Sequence, residues 1–195
     1  MKAELTFDEK SHSYSLGGRQ LVSVTQTLEN CGLRTDFAKS EEALERGRCV
    51  HLACQYYDEG RLDADSVDKA DIDYVRAWIF FREQTNFKIK EIEMPVVSLG
   101  HGYAGTPDRI GRFPRQPYDT MLEIKTGAVP AVAALQLAAY GNARTKGKKF
   151  GRVTVQLLPN GKYKLWTYSI RDYKRDVWDF FSALRIAEWR HRNGR

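Results

Sequence analysis

Cysteine is scarce in this chain. Cys31, Cys49 and Cys54 are the only three, an odd number with no C-x-x-C spacing, which argues against both a disulfide framework and a structural zinc site. A reducing, intracellular setting is expected. Long apolar runs are missing as well. No uncharged stretch reaches the length of a membrane span and the opening MKAELTFDEK has no apolar h-region, so the reading is a soluble, cytosolic protein with no membrane partner. There is no GxxxxGK[ST] phosphate loop, which excludes a helicase activity in this chain. Internal repeats, low-complexity segments and linkers are also lacking.

What remains is enough for one core. The 195 residues are 42% hydrophobic, with aromatics spread along the chain, and are read as a single domain over 1–195. Lys and Arg number 31 against 25 Asp and Glu, a net charge of +6, which favours a polyanionic partner without naming one.

Periodicity gives the order of elements. Alternation through LTF, YSL and LVSV, broken at DEKSH and Gly17-Gly18, predicts a meander of short strands. A short helix is expected from Thr25 to about Cys31. Leu44, Gly47, His51 and Cys54 share one face of a helix between Ser40 and Glu59, and Val67, Ala70, Tyr74, Ala77, Trp78 and Phe81 form a stripe on a second helix capped by Ser66. Strands are predicted over Lys88–Ser98, Tyr103–Phe113 and Thr120–Lys125. A helix follows from Pro130 to about Ala143. Val153–Leu158 and Tyr163–Ser169 flank the hairpin signal Asn160-Gly161. A final helix carries Tyr173, Val177, Phe180, Phe181 and Leu184. This order predicts an α/β domain with a mixed central sheet flanked by helices. Trp78 and Trp178, each within an apolar stripe, are expected in the core.

Two neighbouring segments carry charges where strands usually avoid them: GTPDRIG with Asp108, and MLEIKTG with Glu123 and Lys125. Singly, Asp108 reads as a turn carboxylate beside Pro107, and Glu123 and Lys125 as the solvated face of an edge strand. Together, with apolar flanks, they read as a site. Glu123 and Lys125 project from the same face of a strand, about 6.7 Å apart along it. Two carboxylates and a lysine converging on a sheet need a partner to offset their desolvation. A hard divalent cation such as Mg²⁺ takes one or two carboxylates and further oxygens, among which the Ile124 carbonyl is available. Such a site performs phosphodiester hydrolysis.

At this point the residues resemble a family, the PD-(D/E)XK nuclease superfamily, and within it the RecB-like exonuclease branch. The resemblance rests on GTPD with Asp108, EIK with Glu123 and Lys125, QLAAY with Gln136 and Tyr140, RGRCVH with Gly47 and His51, and LVSVTQTL near the N-terminus. It implies a restriction-endonuclease-like core at 88–195 preceded by N-terminal strands and a helical insertion at 1–87. It also implies a metal-dependent DNase using Mg²⁺ or Mn²⁺, an exonuclease on DNA ends or single-stranded DNA in recombination, repair or phage DNA processing. A bacterial or phage-infected cytoplasm is the implied setting, and any recombination or helicase partner is left unspecified.

His51, taken alone a buried core histidine, becomes by resemblance a metal ligand beside Asp108, Glu123 and the Ile124 carbonyl. Gly47 would let its helix approach the sheet. Gln136 and Tyr140, one helical turn apart, would steady Lys125 and contact nucleic acid. Glu93 in EIEMPV reads either as an exposed strand residue or as a further acidic group near a second metal. Arg109, Arg112, Lys146, Lys148, Lys149, Arg190, Arg192 and Arg195 are candidates for a phosphate track. A helical arch over the site, built from the segment 35–84, is a further implication. No cysteine follows Cys54, so the iron–sulfur cluster of some members of this branch is not expected. Two alternatives stay open: a non-catalytic nucleic-acid-binding module on the same scaffold, and a restriction-type endonuclease.

Overall fold

The first three strands, β1 (Leu5–Asp8), β2 (Ser13–Leu16) and β3 (Arg19–Ser23), pair antiparallel in order, as the alternation predicts. The structure is a computed structural model that describes residues 5–8, 13–33, 40–145 and 150–194. Ser23 ends β3 and caps helix α1 (Val24–Asn30), its Oγ accepting from the Gln26 N–H at 3.4 Å. Ser40 caps α2 (Glu41–Asp58) in the same way through the Ala43 N–H.

Ser66 does not cap the next helix. Asp63 caps a 3₁₀ turn at Ala64–Ser66, Asp68 then accepts from the Ala70 N–H, and α3 runs only over Ile72–Thr85. Two aspartates that bond their own following backbone hold the chain out of a helix here, which leaves Val67 and Ala70 outside the stripe. Tyr74, Ala77, Trp78 and Phe81 keep their buried face.

Two long strands predicted from alternation are each broken in the middle. Lys88–Ser98 divides into β4 (Lys88–Ile92) and β5 (Val96–Ser98), and Tyr103–Phe113 into β6 (Tyr103–Gly105) and β7 (Arg109–Arg112). The first break holds Glu93 at φ 46° and ends at Pro95. The second contains Pro107. Proline has no N–H to give a ladder, so pairing stops at both places. Backbone still joins the breaks, the Glu93 N–H donating to the Asp108 carbonyl at 3.1 Å.

The halves of each broken strand enter different sheets. One sheet has the order β1-β2-β3-β6-β5; the other joins β4, β7 and β8 (Thr120–Lys125) to β9 (Gly151–Leu157) and β10 (Tyr163–Tyr168) in the order β10-β9-β8-β7-β4. Both are mixed, with parallel pairs β3–β6 and β8–β9. The second is the central sheet of the expected α/β domain. Leu122 and Ile124 on one face of β8 pack with Val50 and Cys54 of α2 and Trp78 and Phe81 of α3. Met121 on the other face packs with Leu137 and Tyr140 of α4 (Ala133–Thr145) and Phe180 of α5 (Tyr173–Arg192). The C-terminal half of α2 and the inner face of α3 therefore form a layer on this sheet, while residues 35–39 of the segment expected to form an arch lie outside the described residues. Trp78 is fully buried, but Trp178 on α5 is 69% exposed, because α5 turns Val177, Phe180 and Leu184 inward and position 178 outward. Among the described residues no helix is long and apolar enough to cross a membrane.

Helix α4 sits tightly against the strand that follows it. A Cβ at Gly141 would lie 1.5 Å from the Phe150 ring, itself in the core. Gly141→Ala is therefore expected to cost at least about 1–3 kcal/mol through overpacking, against the gain in helix propensity of about 1 kcal/mol that an exposed glycine would return. A urea titration measures it, and an unchanged midpoint would show that Phe150 moves aside freely.

Candidate active site

The two strand breaks and the end of β8 meet at one place. Asp108 lies in the second break, just before β7, and not within a strand as the alternation predicts. Its Oδ2 accepts from the Ile124 N–H at 2.6 Å, so the break aims its carboxylate at β8 instead of at a neighbouring side chain. Ile124 itself points into the α2/α3 layer. Glu123, on the other face, accepts at Oε1 from Lys125 Nζ at 2.7 Å and from Gln136 Nε2 at 3.0 Å. The same Gln136 amide lies 2.9 Å from the Tyr140 hydroxyl. One turn of α4 thus supplies the amide that holds Glu123 and the phenol that holds that amide, as their i, i+4 spacing permits.

His51 reaches the site from α2. Its Nε2 is 3.1 Å from the Ile124 carbonyl and its Nδ1 is 3.6 Å from Asp108 Oδ1. Gly47 is not what lets it approach: a Cβ there would meet Thr126 Oγ1 at 3.8 Å, an ordinary contact. Glu93 completes a group, since one ligand atom from each of His51, Glu93 and Asp108 lies within 4.8 Å of the others. Its positive φ turns its side chain out of the strand alternation and toward Asp108.

Charge in this space is poorly compensated by protein alone. Burial pushes the Asp108 carboxyl above its usual range against the pull of Lys125, and burial followed by the Asp108 charge does the same to Glu123. Glu93 is raised to about 8, by burial and then by Asp108. His51 is pushed down to about 4, by burial and then by Lys125, and so stands as a neutral imidazole with a lone pair to offer. Burial and the Glu123 charge also raise the Tyr140 phenol. Three carboxyls that resist ionisation beside a neutral imidazole are groups of the kind that would suit a divalent cation, whose charge would favour their ionised form. One further observation fits such an ion: Glu123 Oε2 is buried with no hydrogen-bond partner, and a cation would satisfy it.

The basic residues divide. Arg109 is not on the surface. Its side chain is fully buried, with Nε 2.7 Å from Asp58 Oδ2 at the end of α2, and it donates to the Asp108 carbonyl at 2.6 Å and to Glu93 at 3.3 Å. It braces the site and is not available to phosphate. Arg112 pairs with Asp119 at 2.8 Å, Arg190 donates to the Asn30 carbonyl, and Arg192 is exposed. Lys146, Lys148, Lys149 and Arg195 lie outside the described residues. Asp58 was not singled out by its sequence; a carboxylate at a helix end beside Glu59 and Arg61 reads as ordinary surface.

A cavity of about 450 Å³ opens beside the carboxylates. Glu93, Glu123, Gln136 and Tyr140 line it on one side, and Phe7, Tyr14 and Pro95 belong to its remaining wall. Gly105 stands behind Tyr140, where a Cβ would fall 2.4 Å from the ring; only glycine leaves the phenol in reach of Gln136.

No protein-family profile matches the sequence, and neither does any curated protein. The fold is nevertheless similar to that of a crystallised protein from Eubacterium rectale provisionally named an exonuclease. The two are 12% identical, superpose with a TM-score of 0.54, and share 86% of this chain and 81% of that one. An alkaline exonuclease from Laribacter hongkongensis aligns at 15% identity over 89% of this chain and 93% of its own, with a TM-score of 0.39. Its complex with dAMP aligns at 13% and 0.35. The fold likeness rests on the first of these.

Proposed function

We propose that the protein is a divalent-metal-dependent deoxyribonuclease of the PD-(D/E)XK type, in its RecB-like exonuclease branch, that hydrolyses phosphodiester bonds at DNA ends or in single strands. The observation that carries this reading is the pair of buried carboxylates Asp108 and Glu123 beside a half-buried Glu93 and a neutral His51, with Lys125 at the rim. The similarity in fold to a protein provisionally named an exonuclease adds to it.

His51, Glu93 and Asp108, with Glu123 through its unpartnered Oε2, are the residues that would hold Mg²⁺ or Mn²⁺. Bound there, the ion supplies Lewis acidity toward a phosphoryl oxygen and lowers the pKa of water. Lys125, its side chain 23% exposed, faces both Glu123 and the solvent side, where its ammonium orients the attacking water and offsets the charge that develops on the phosphate. Gln136 fixes the Glu123 rotamer, and Tyr140 fixes Gln136. A cavity of this volume takes a nucleotide and not a length of duplex, which favours attack at an end.

The experiment is digestion of end-labelled linear single- and double-stranded DNA beside closed circular single-stranded DNA, with Mg²⁺ or Mn²⁺ and with chelator. Linear substrates should be degraded only with metal, circles should resist, and the rate should fall steeply with salt as phosphate contacts are screened. Circles cut as fast as linear strands would replace the exonuclease reading with an endonuclease one. Binding without cleavage under every metal condition would leave a nucleic-acid-binding module.

A further inference from the structure

Phe7 is an apolar ring left 42% exposed on the second residue pair of a surface hairpin, and single exposed hydrophobics are common enough to need no explanation. This one differs in where it stands. It lines the same cavity as Glu123 and Gln136. It is also held from behind: Tyr14, its cross-strand partner, lies with ring centroids 4.7 Å apart and an interplanar angle of 35°. Tyr14 is 4% exposed, and its hydroxyl is 2.8 Å from Thr106 Oγ1, two residues before Asp108. A ring that lines this cavity and packs on a second ring, itself tied through Thr106 to the strand break that carries Asp108, is a platform beside the carboxylates.

We infer that Phe7 stacks on the base of the nucleotide at the strand end, so that the cavity is a subsite for a terminal nucleobase next to the scissile phosphate. The inference rests on the nuclease reading for its substrate class. Every base has a π-face, so such a platform selects an unpaired terminal base without selecting its identity. The volume of about 450 Å³ lies in the range that sites for small organic groups span, roughly 300–1,000 Å³. A paired end would have to fray before its last base could enter. The platform thus makes the site discriminate against blunt duplex and against a nucleotide that has lost its base.

Two measurements test this separately from catalysis. The first is fluorescence of a single-stranded oligonucleotide with 2-aminopurine as its terminal base, titrated with the protein in chelator, where nothing is cut. The wild type should quench the probe, Phe7→Tyr should do so equally, and Phe7→Ala should bind about 5- to 100-fold more weakly with little quenching. With 2-aminopurine in mid-strand the terminal-base quench should be absent from wild type and variant alike, while the difference in affinity, read by competition, should remain because the strand still ends in a base. The second compares cleavage of an ordinary end with an end whose terminal nucleotide is abasic: the wild type should prefer the ordinary end, and Phe7→Ala should lose that preference. Equal quenching by wild type and Phe7→Ala, or an absent quench in the wild type, overturns the subsite whether or not the protein cleaves DNA. A clear quench with no cleavage in any metal would keep the subsite and overturn the nuclease reading alone.

Discussion

Replacing Asp108 by asparagine, or Glu123 by glutamine, is expected to slow cleavage by at least about a thousandfold while the chain stays folded. Alanine is the poorer choice at 108. Asp108 Oδ2 is the acceptor for the buried Ile124 N–H, and truncation would orphan that donor, whereas an asparagine carbonyl still accepts. Glutamine at 123 likewise keeps an acceptor for Lys125 and Gln136. What both lose is charge. The two carboxyls are raised by burial, and Glu123 further by Asp108. The folded protein therefore keeps protons that the unfolded chain has released above about pH 4. Stability in chelator should thus fall as the pH rises toward neutral, and each substitution should remove part of that fall. Without metal, the variants' unfolding midpoints should hold or rise; with Mn²⁺, the wild type alone should gain stability by mass action. Single-turnover cleavage and paired thermal melts read both arms. Full activity in either variant would sink the site assignment, and a collapse of the metal-free midpoint would assign the carboxylate a structural role.

Asp58→Ala is expected to destabilise the protein by about 3–5 kcal/mol, the cost of removing one partner from a buried pair. At this chain length that is a fall in Tm of roughly 6–20 °C. The Asp58 side chain is fully buried and accepts from Arg109 Nε at 2.7 Å, from Trp78 Nε1 at 3.1 Å and from Arg82. Burial holds its carboxyl above the usual range despite Arg109, so the network is finely balanced even when intact. The guanidinium of Arg109 lies over the Trp78 ring at 5.7 Å and already has one buried nitrogen, Nη2, without a partner. Losing Asp58 strips it of its nearest counter-charge. Arg82→Ala, which removes a side chain 21% exposed, should cost much less. Because Arg109 also holds the Asp108 carbonyl and Glu93, Asp58→Ala should loosen the proposed metal site as well as the fold. Equal losses for Asp58→Ala and Arg82→Ala would show that the buried pair is not what stabilises this corner.

The part of the site that was legible in the sequence is the part built on unbroken local structure. Thr120–Lys125 is a strand with the predicted limits, and the alternation of Glu123, Ile124 and Lys125 across it follows from the pleat alone. Gln136 and Tyr140 share a helical face for the same kind of reason. Asp108 and Glu93 were less legible, because alternation ran through both strand breaks without a gap. The signals that were available were Pro95 and Pro107, each without an N–H to give to a paired strand. The positive φ at Glu93 left no trace in residue type. Arg109 read as surface because arginine usually is. Its burial is decided by Asp58, a partner 51 residues earlier that only the packing of α2 on the sheet brings near. Trp178 failed in the opposite direction: a stripe on a long helix fixes which residues are neighbours, and the packing of α1 and α4 decides how wide a part of that stripe is covered.

The two strand breaks also decide how the molecule comes apart. β4 continues into β5, and β6 into β7, across residues 93–95 and 106–108, so each sheet contains half of both strands. β6 is flanked on its other side by β3, with Val22 opposite Tyr103 and Ser23 opposite Ala104. The N-terminal meander is therefore not a detachable module. Cutting the chain after Ser23 would leave the β5–β6 ribbon with a bare edge ready to pair with another molecule, and would release the anchor on which residues 106–108 are strung. Unfolding should run as one cooperative event that takes the carboxylates with it, and circular permutants opened within this meander should lose solubility and metal affinity together.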